Sequence, residues 1–278
     1  MKKINSKSYL KKIFLYLILV VICIYFIFPI YWSLITAFKH PADIYSWPPK
    51  FIFKPTLINW RYIWYDWELS RFLINSLIVT SITLIIAIPI GSLAGYSFSR
   101  FKFKGRESLL MDILSLRMVP PIVGLIPLFI IAKNLNLLNT YVILIIIYVT
   151  FNLPLIIWIS KSFFDDLPIE VEEAALIDGC DKLSAFIRVV LPMARSSIIA
   201  IVIITAIFVW NEFMFANILT GFETRTLPVI AGMSVRQRSI EWGPAAMLAL
   251  IIALPIVILT LIIQKYLVTG LTFGAVKG

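Results

Sequence analysis

Residues 172–192 read EEAALIDGCDKLSAFIRVVLP, a short polar segment set between two stretches of nearly unbroken hydrocarbon. Upstream, Asp165 and Asp166 are candidate caps and Pro168 suits a first helical turn. Glu170, Glu172 and Glu173 follow, where negative charge favours the positive end of a helix dipole. Gly179 stands where a helix ends in a left-handed residue that a side chain disfavours. Asp181 is placed to cap a second helix. The apolar positions of that helix, Leu183, Phe186, Ile187 and Val190, recur at i, i+3, i+4 and i+7 and predict one continuous stripe. Pro192 closes the helix. Residues 161–196 therefore predict a helix–turn–helix at a membrane surface.

The surroundings make the membrane reading. Hydrophobic side chains are 60% of the 278 residues and charged ones only 14%, and mean hydropathy is +0.95. Soluble chains carry about a quarter charged residues. The formal net charge of +10 sits in short clusters at the ends of apolar runs. That placement suits anionic headgroups and topology signals, and no basic stripe interleaved with aromatics points to nucleic acid. Cys23 and Cys180 lie in different environments, and His40 is the single histidine, so neither a disulfide framework nor a metal set is expected.

Continuous rather than alternating apolarity predicts an all-α integral membrane protein with six transmembrane helices. The spans fall near 13–37, 72–98, 109–132, 141–159, 198–219 and 245–267. Each has about 19 residues or more, enough to cross about 30 Å of hydrocarbon at 1.5 Å per residue. Residues 1–12 form a basic N-terminus with Lys2, Lys3, Lys7, Lys11 and Lys12, residues 13–278 form one membrane domain, and residues 268–278 form a tail. The first run is longer than a signal-peptide core and lacks an A-x-A pattern, so a retained helix is expected. Those lysines and the tight cluster Arg100, Lys102, Lys104 and Arg106 favour an N-in, C-in topology. The segment 39–71 between the first two spans is rich in proline, tryptophan and tyrosine. It suits an interfacial aromatic belt, or a docking surface for an extracytoplasmic partner.

Two readings of the polar insert compete. An interfacial helix resting on lipid is usually Lys/Arg-rich, whereas the first half here is acidic. The small pair Ala174-Ala175 beside the glycine turn suits close approach to a protein groove. Docking to a protein is favoured.

Glu173-Ala174-Ala175, Gly179 four positions beyond Ala175, and Leu191-Pro192 resemble the EAA loop of importer-type ABC-transporter permease subunits. The blocks NSLIVTSITLIIAIPIGSLAGYSFSRFKFKGR, RMVPPIVGLIPLFIIAKNLNLLNTYVILIIIY, WNEFMFANILT and GLTFGAVKG extend the likeness to the carbohydrate-uptake, maltose-type branch. Val189, Cys180 and Phe273 depart from the usual pattern. The resemblance implies a loop that carries a coupling helix seated in a cleft of an ATPase subunit. Glu172, Glu173, Ala174, Ala175, Asp178, Gly179, Leu191 and Pro192 are its candidate coupling residues. It also implies that the tail, through Gly270, Leu271, Thr272 and Gly274, reaches between the ATPase subunits; a frayed tail is the other reading. The implied partners are a second permease, two ATP-binding cassette subunits, an extracytoplasmic solute-binding protein and a sugar. ATP and Mg would be used by the ATPase, with no cofactor bound by this chain.

Arg117, followed by Pro120, Pro121 and Pro127, interrupts the third span. Counted along one helix, it lies about 15 Å from the nearer end. A charge at that depth faces the bundle interior or a water-filled cavity, ties to an acid such as Glu212, or snorkels. Trp210, Asn211 and Glu212 in the fifth span, with Asn152 in the fourth, offer the aromatic and polar groups a sugar needs; such residues also hold helices together. The chain has no Gly-Lys dipeptide, hence no P-loop, so it is not expected to be an enzyme by itself. Three alternatives remain: an ion-coupled secondary transporter, which calls for paired broken helices and intramembrane acids; an ABC importer permease for a non-sugar solute; and a membrane scaffold.

Overall fold

The computed structural model describes residues 6–234 and 241–273, with side-chain environments for 11–234 and 241–262. In chain order the main helices are α1 (Ser6–Ala37), α2 (Leu69–Arg100), α3 (Arg106–Ser115), α4 (Pro121–Asn134), α5 (Tyr141–Asp165) and α6 (Ile169–Ile177). Then come α7 (Lys182–Ala185), α8 (Arg195–Trp210), α9 (Met214–Leu219), α10 (Leu227–Ser234) and α11 (Trp242–Phe273). No strand occurs among the described residues. Four helices are long and apolar enough to cross a bilayer unaided, α1, α2, α5 and α11.

The other two expected spans are broken. Instead of one helix over 109–132, α3 passes through a 3-10 turn at Leu116–Met118 and meets α4 at 89°. Pro120 drives Val119 into an extended conformation (ψ 122°), and Pro121, lacking an N–H, can only begin a new helix. Arg117 therefore sits at a corner, not partway along a rod. The span expected over 198–219 stops at Trp210 and restarts at Met214. The last span, expected over 245–267, is helical from Trp242 through Phe273, so the expected tail begins as helix; Gly270, Leu271 and Thr272 lie on it, and Gly274 lies outside the described residues.

Two compact units result. Among the described residues, one comprises 6–68, 231–234 and 241–253. Within it α1 turns sharply after Ala37, and Asn59 donates from Nδ2 to the carbonyls of Ala37 (2.8 Å) and Lys39 (2.9 Å). Lys39, only 2% exposed, places its ammonium 4.5 Å from the Trp32 ring and 5.4 Å from Phe53. Burial pushes its pKa below the ordinary lysine value. So Trp32, near the end of α1, and Phe53, from the aromatic-rich segment, together clamp a cation.

The other unit, residues 69–230 and 254–273, carries both candidate sites. Its spine is α2 packed along α5. Gly91 and Gly95 make the approach possible: a Cβ on Gly95 would fall 2.6 Å from Ser160 Cβ and 2.9 Å from the Ile157 carbonyl oxygen. Ala87, Ile88, Ile156 and Ile201 close the core between α2, α5 and α8.

Candidate coupling loop and translocation cavity

The loop forms the two helices expected, with a different internal logic. α6 begins after Pro168, which stands at the cap position without a side-chain bond. Asp165, expected as a cap, is instead the last residue of α5, where Lys161 (2.6 Å) and Ser99 (2.7 Å) hold its carboxylate. Gly179 adopts φ +92°. Its N–H bonds the Leu176 carbonyl (3.1 Å) and that of Cys180 the Ala175 carbonyl (3.0 Å), a Schellman closure that satisfies the last carbonyls of α6. Asp181 then caps α7, accepting from the Ser184 N–H at 3.3 Å. The hydrogen bond from the Ser184 side chain leads in holding the Asp181 carboxyl below its ordinary pKa.

The expected single stripe does not form. After Ala185 the chain makes a π-turn, Phe186–Val190, in which the Leu191 N–H bonds the Phe186 carbonyl. The wider turn shifts the helical phase and accommodates Pro192, which has no N–H to give. Phe186 and Val190 are buried with Tyr96, Phe164 and Ala194, Leu191 packs beside them, and Leu183 and Ile187 stay exposed. The helix runs on to Met193 rather than ending at Pro192, and meets α8 at 81°.

The candidate coupling residues divide by face. Glu173, Ala174, Asp178, Gly179 and Pro192 are exposed, together with Ile177 at 86%. Glu172 and Ala175, three positions apart on one face of α6, are buried. Glu172 therefore turns inward. Its carboxylate accepts from Arg100 Nε at 2.9 Å and from the Tyr96 hydroxyl, both at the end of α2. Arg100 also donates to the Leu167 carbonyl at 3.2 Å. Nothing in the loop's own sequence announces this tie. The signal lies in α2, where Tyr96 and Arg100 are four residues apart and so share a face.

At the two broken helices a cavity of about 510 Å3 opens, lined by Arg117, Pro120, Tyr148, Phe151, Asn152 and Glu212 among others. Arg117 and Glu212 do not pair. Arg117 donates to the Phe151 carbonyl (3.1 Å) and lies 5.0 Å from the Phe208 ring. Glu212 accepts from the Tyr148 hydroxyl and from the N–H groups of Phe215 (2.9 Å) and Ala216 (3.2 Å), which organises the start of α9. Asn152, mostly buried, donates to the Tyr148 carbonyl at 2.7 Å. Trp210 and Asn211, although next to Glu212, are not among the lining residues: Trp210 is buried, and Asn211 donates back to the Ile207 carbonyl at 2.8 Å. Tyr148, Phe151 and Phe208 are lining groups that apolar composition alone did not distinguish from core.

The family of binding-protein-dependent transport system inner membrane components matches residues 87–272. The chain belongs to that family. It is a membrane-spanning transport subunit of a binding-protein-dependent importer, which displaces the ion-coupled and scaffold alternatives. Among relatives, the probable ABC transporter permease protein y4oR of Sinorhizobium fredii is 33% identical over 98% of both chains. The trehalose/maltose transport system permease protein MalG of Thermococcus litoralis is 36% identical over 97% of this chain and 98% of its own. Among solved structures, a bacterial ABC transporter involved in the import of the acidic polysaccharide alginate has the same fold, with a TM-score of 0.80 at 18% identity, covering 96% of this chain and 99% of that one.

Proposed function

We propose that this inner-membrane importer subunit forms half of the translocation pathway for a sugar or oligosaccharide, N-in and C-in, and couples it to an ATPase through residues 161–196. The partners on this reading are a second permease, two ATPase subunits that use ATP and Mg, and an extracytoplasmic solute-binding protein. The observation that carries the reading is α6 and its cap: Ile177, at 86% exposure, shares this stretch with the exposed Glu170, Glu173 and Asp178, and it contains no lysine or arginine. Exposed apolar and acidic side chains on one short helix without a base fit a protein cleft better than anionic lipid. The trehalose/maltose relative supports the sugar assignment.

The cavity at the helix breaks is the candidate path, with Arg117, Asn152 and Glu212 on its wall. Trp210 and Asn211 contribute from behind, by fixing the break. Gly270, Leu271, Thr272 and Gly274 are the candidate second contact with the ATPase.

A tagged pull-down from mild-detergent membranes tests the coupling assignment. The expected result is recovery of a second permease and an ATPase carrying a P-loop, with the ATPase lost when residues 170–182 are deleted. An ATPase that still co-purifies with the deleted chain would contradict it.

A further inference from the structure

We infer that Glu172 is a positioning residue that links the coupling loop to the cavity wall through Arg100 and Tyr96, and is not itself a contact with the motor. The inference rests on the proposed docking of this loop to an ATPase. Glu172 is 7% exposed and points away from the exposed face that carries Glu173 and Ile177. Both partners of its carboxylate lie on the last turns of α2, and Arg100 also holds the Leu167 carbonyl in the link between α5 and α6. A displacement of α6 is thus delivered to α2.

From there the path is rigid. Tyr96 packs among Phe101, Phe164 and Phe186, with ring centroids 4.7–6.1 Å apart. One residue earlier, Gly95 sets α2 directly against the α5 backbone, with no room for a methyl group. α5 then carries Tyr148, Phe151 and Asn152 to the cavity. Packed interiors move as units rather than deforming continuously. A buried ion pair is weak evidence for stability, because desolvation offsets its attraction. Its worth here is directional: a two-pronged bond between a charged loop helix and a transmembrane helix transmits both pull and push.

The test uses the whole complex, isolated through a tag on this chain in which Cys23 and Cys180 are serine and the cavity residue Ile122 is replaced by cysteine. Labelling by a membrane-impermeant maleimide is timed with and without ATP plus vanadate. With the Glu172–Arg100 pair intact, the nucleotide should change the labelling rate by about fivefold or more, a coupling of ordinary size. In Glu172→Gln and in Arg100→Met the change should fall below about twofold while the ATPase still co-purifies, and the double variant should be no worse than either single, as expected for one shared link. Tyr96→Phe, which keeps the ring in its cluster, should fall between, and supplies the answer if the other variants fail to assemble. A purely structural pair would alter basal labelling and leave the nucleotide response intact. That outcome, multiplicative losses in the double variant, or an undiminished response in Tyr96→Phe would overturn the link alone. An absent response with the pair intact would overturn the docking assignment and the link together.

Discussion

Two carboxylates, the buried Glu172 and the half-buried Glu212, each meet a tyrosine hydroxyl, yet they do opposite work. Glu172 completes its shell with Arg100, from a helix 72 positions away, so it joins two elements. Glu212 completes its shell with N–H groups three and four residues ahead, so it organises its own bend. A long-range charge partner makes a strut; local backbone donors make a corner. At the corner Arg117 is likewise satisfied by a carbonyl and a ring, which leaves the two charges on the cavity wall free of each other.

The largest expected effect bears on the strut's foundation. Gly95→Leu forces a side chain into the α5 backbone and should cost about 3 kcal/mol or more. Size-exclusion profiles in mild detergent should show loss of the monodisperse chain; a wild-type profile would mean the α2–α5 contact is looser than drawn. At the corner, Glu212→Ala leaves the Tyr148 hydroxyl and two N–H groups without an acceptor, about 2 kcal/mol. The thermal midpoint should fall while ATPase co-purification holds. Loss of the ATPase in that variant would show that the two ends are not separable. Gly179→Leu places a side chain at φ +92°, with open space around it but about 1–2 kcal/mol of backbone strain. Motor recovery in the pull-down should drop up to about tenfold, and undiminished recovery would show that the turn tolerates either conformation. Smallest in stability is Glu173→Lys, an exposed change within about 0.5 kcal/mol. Its thermal midpoint should be unchanged while the motor binds less; equal loss from Glu172→Gln would erase the distinction between the inner and outer faces of α6.

What the sequence made legible follows local rules. Gly179 and Asp181 are placed by turn and cap chemistry confined to a few residues, and both behave as expected. The apolar runs identify the helices because a bilayer requires internally satisfied backbone. Three features escape local rules. The π-turn at Phe186–Val190 changes the period that the Leu183–Val190 stripe relied on. Pro120 and Pro121 were visible as a break, but not the size of its 89° angle, which depends on packing. Glu172 and Glu173 are indistinguishable by type, and only the position of α2 decides which of them turns inward.

The most direct test of motor coupling is a photo-crosslink from Ile177→Cys carrying a benzophenone, in membranes containing the whole complex. Ile177 is 86% exposed at the end of α6, so a crosslink to the P-loop ATPase is expected, lost when ATPase expression is removed. Crosslinks confined to lipid or to this chain, with the ATPase present, would contradict it.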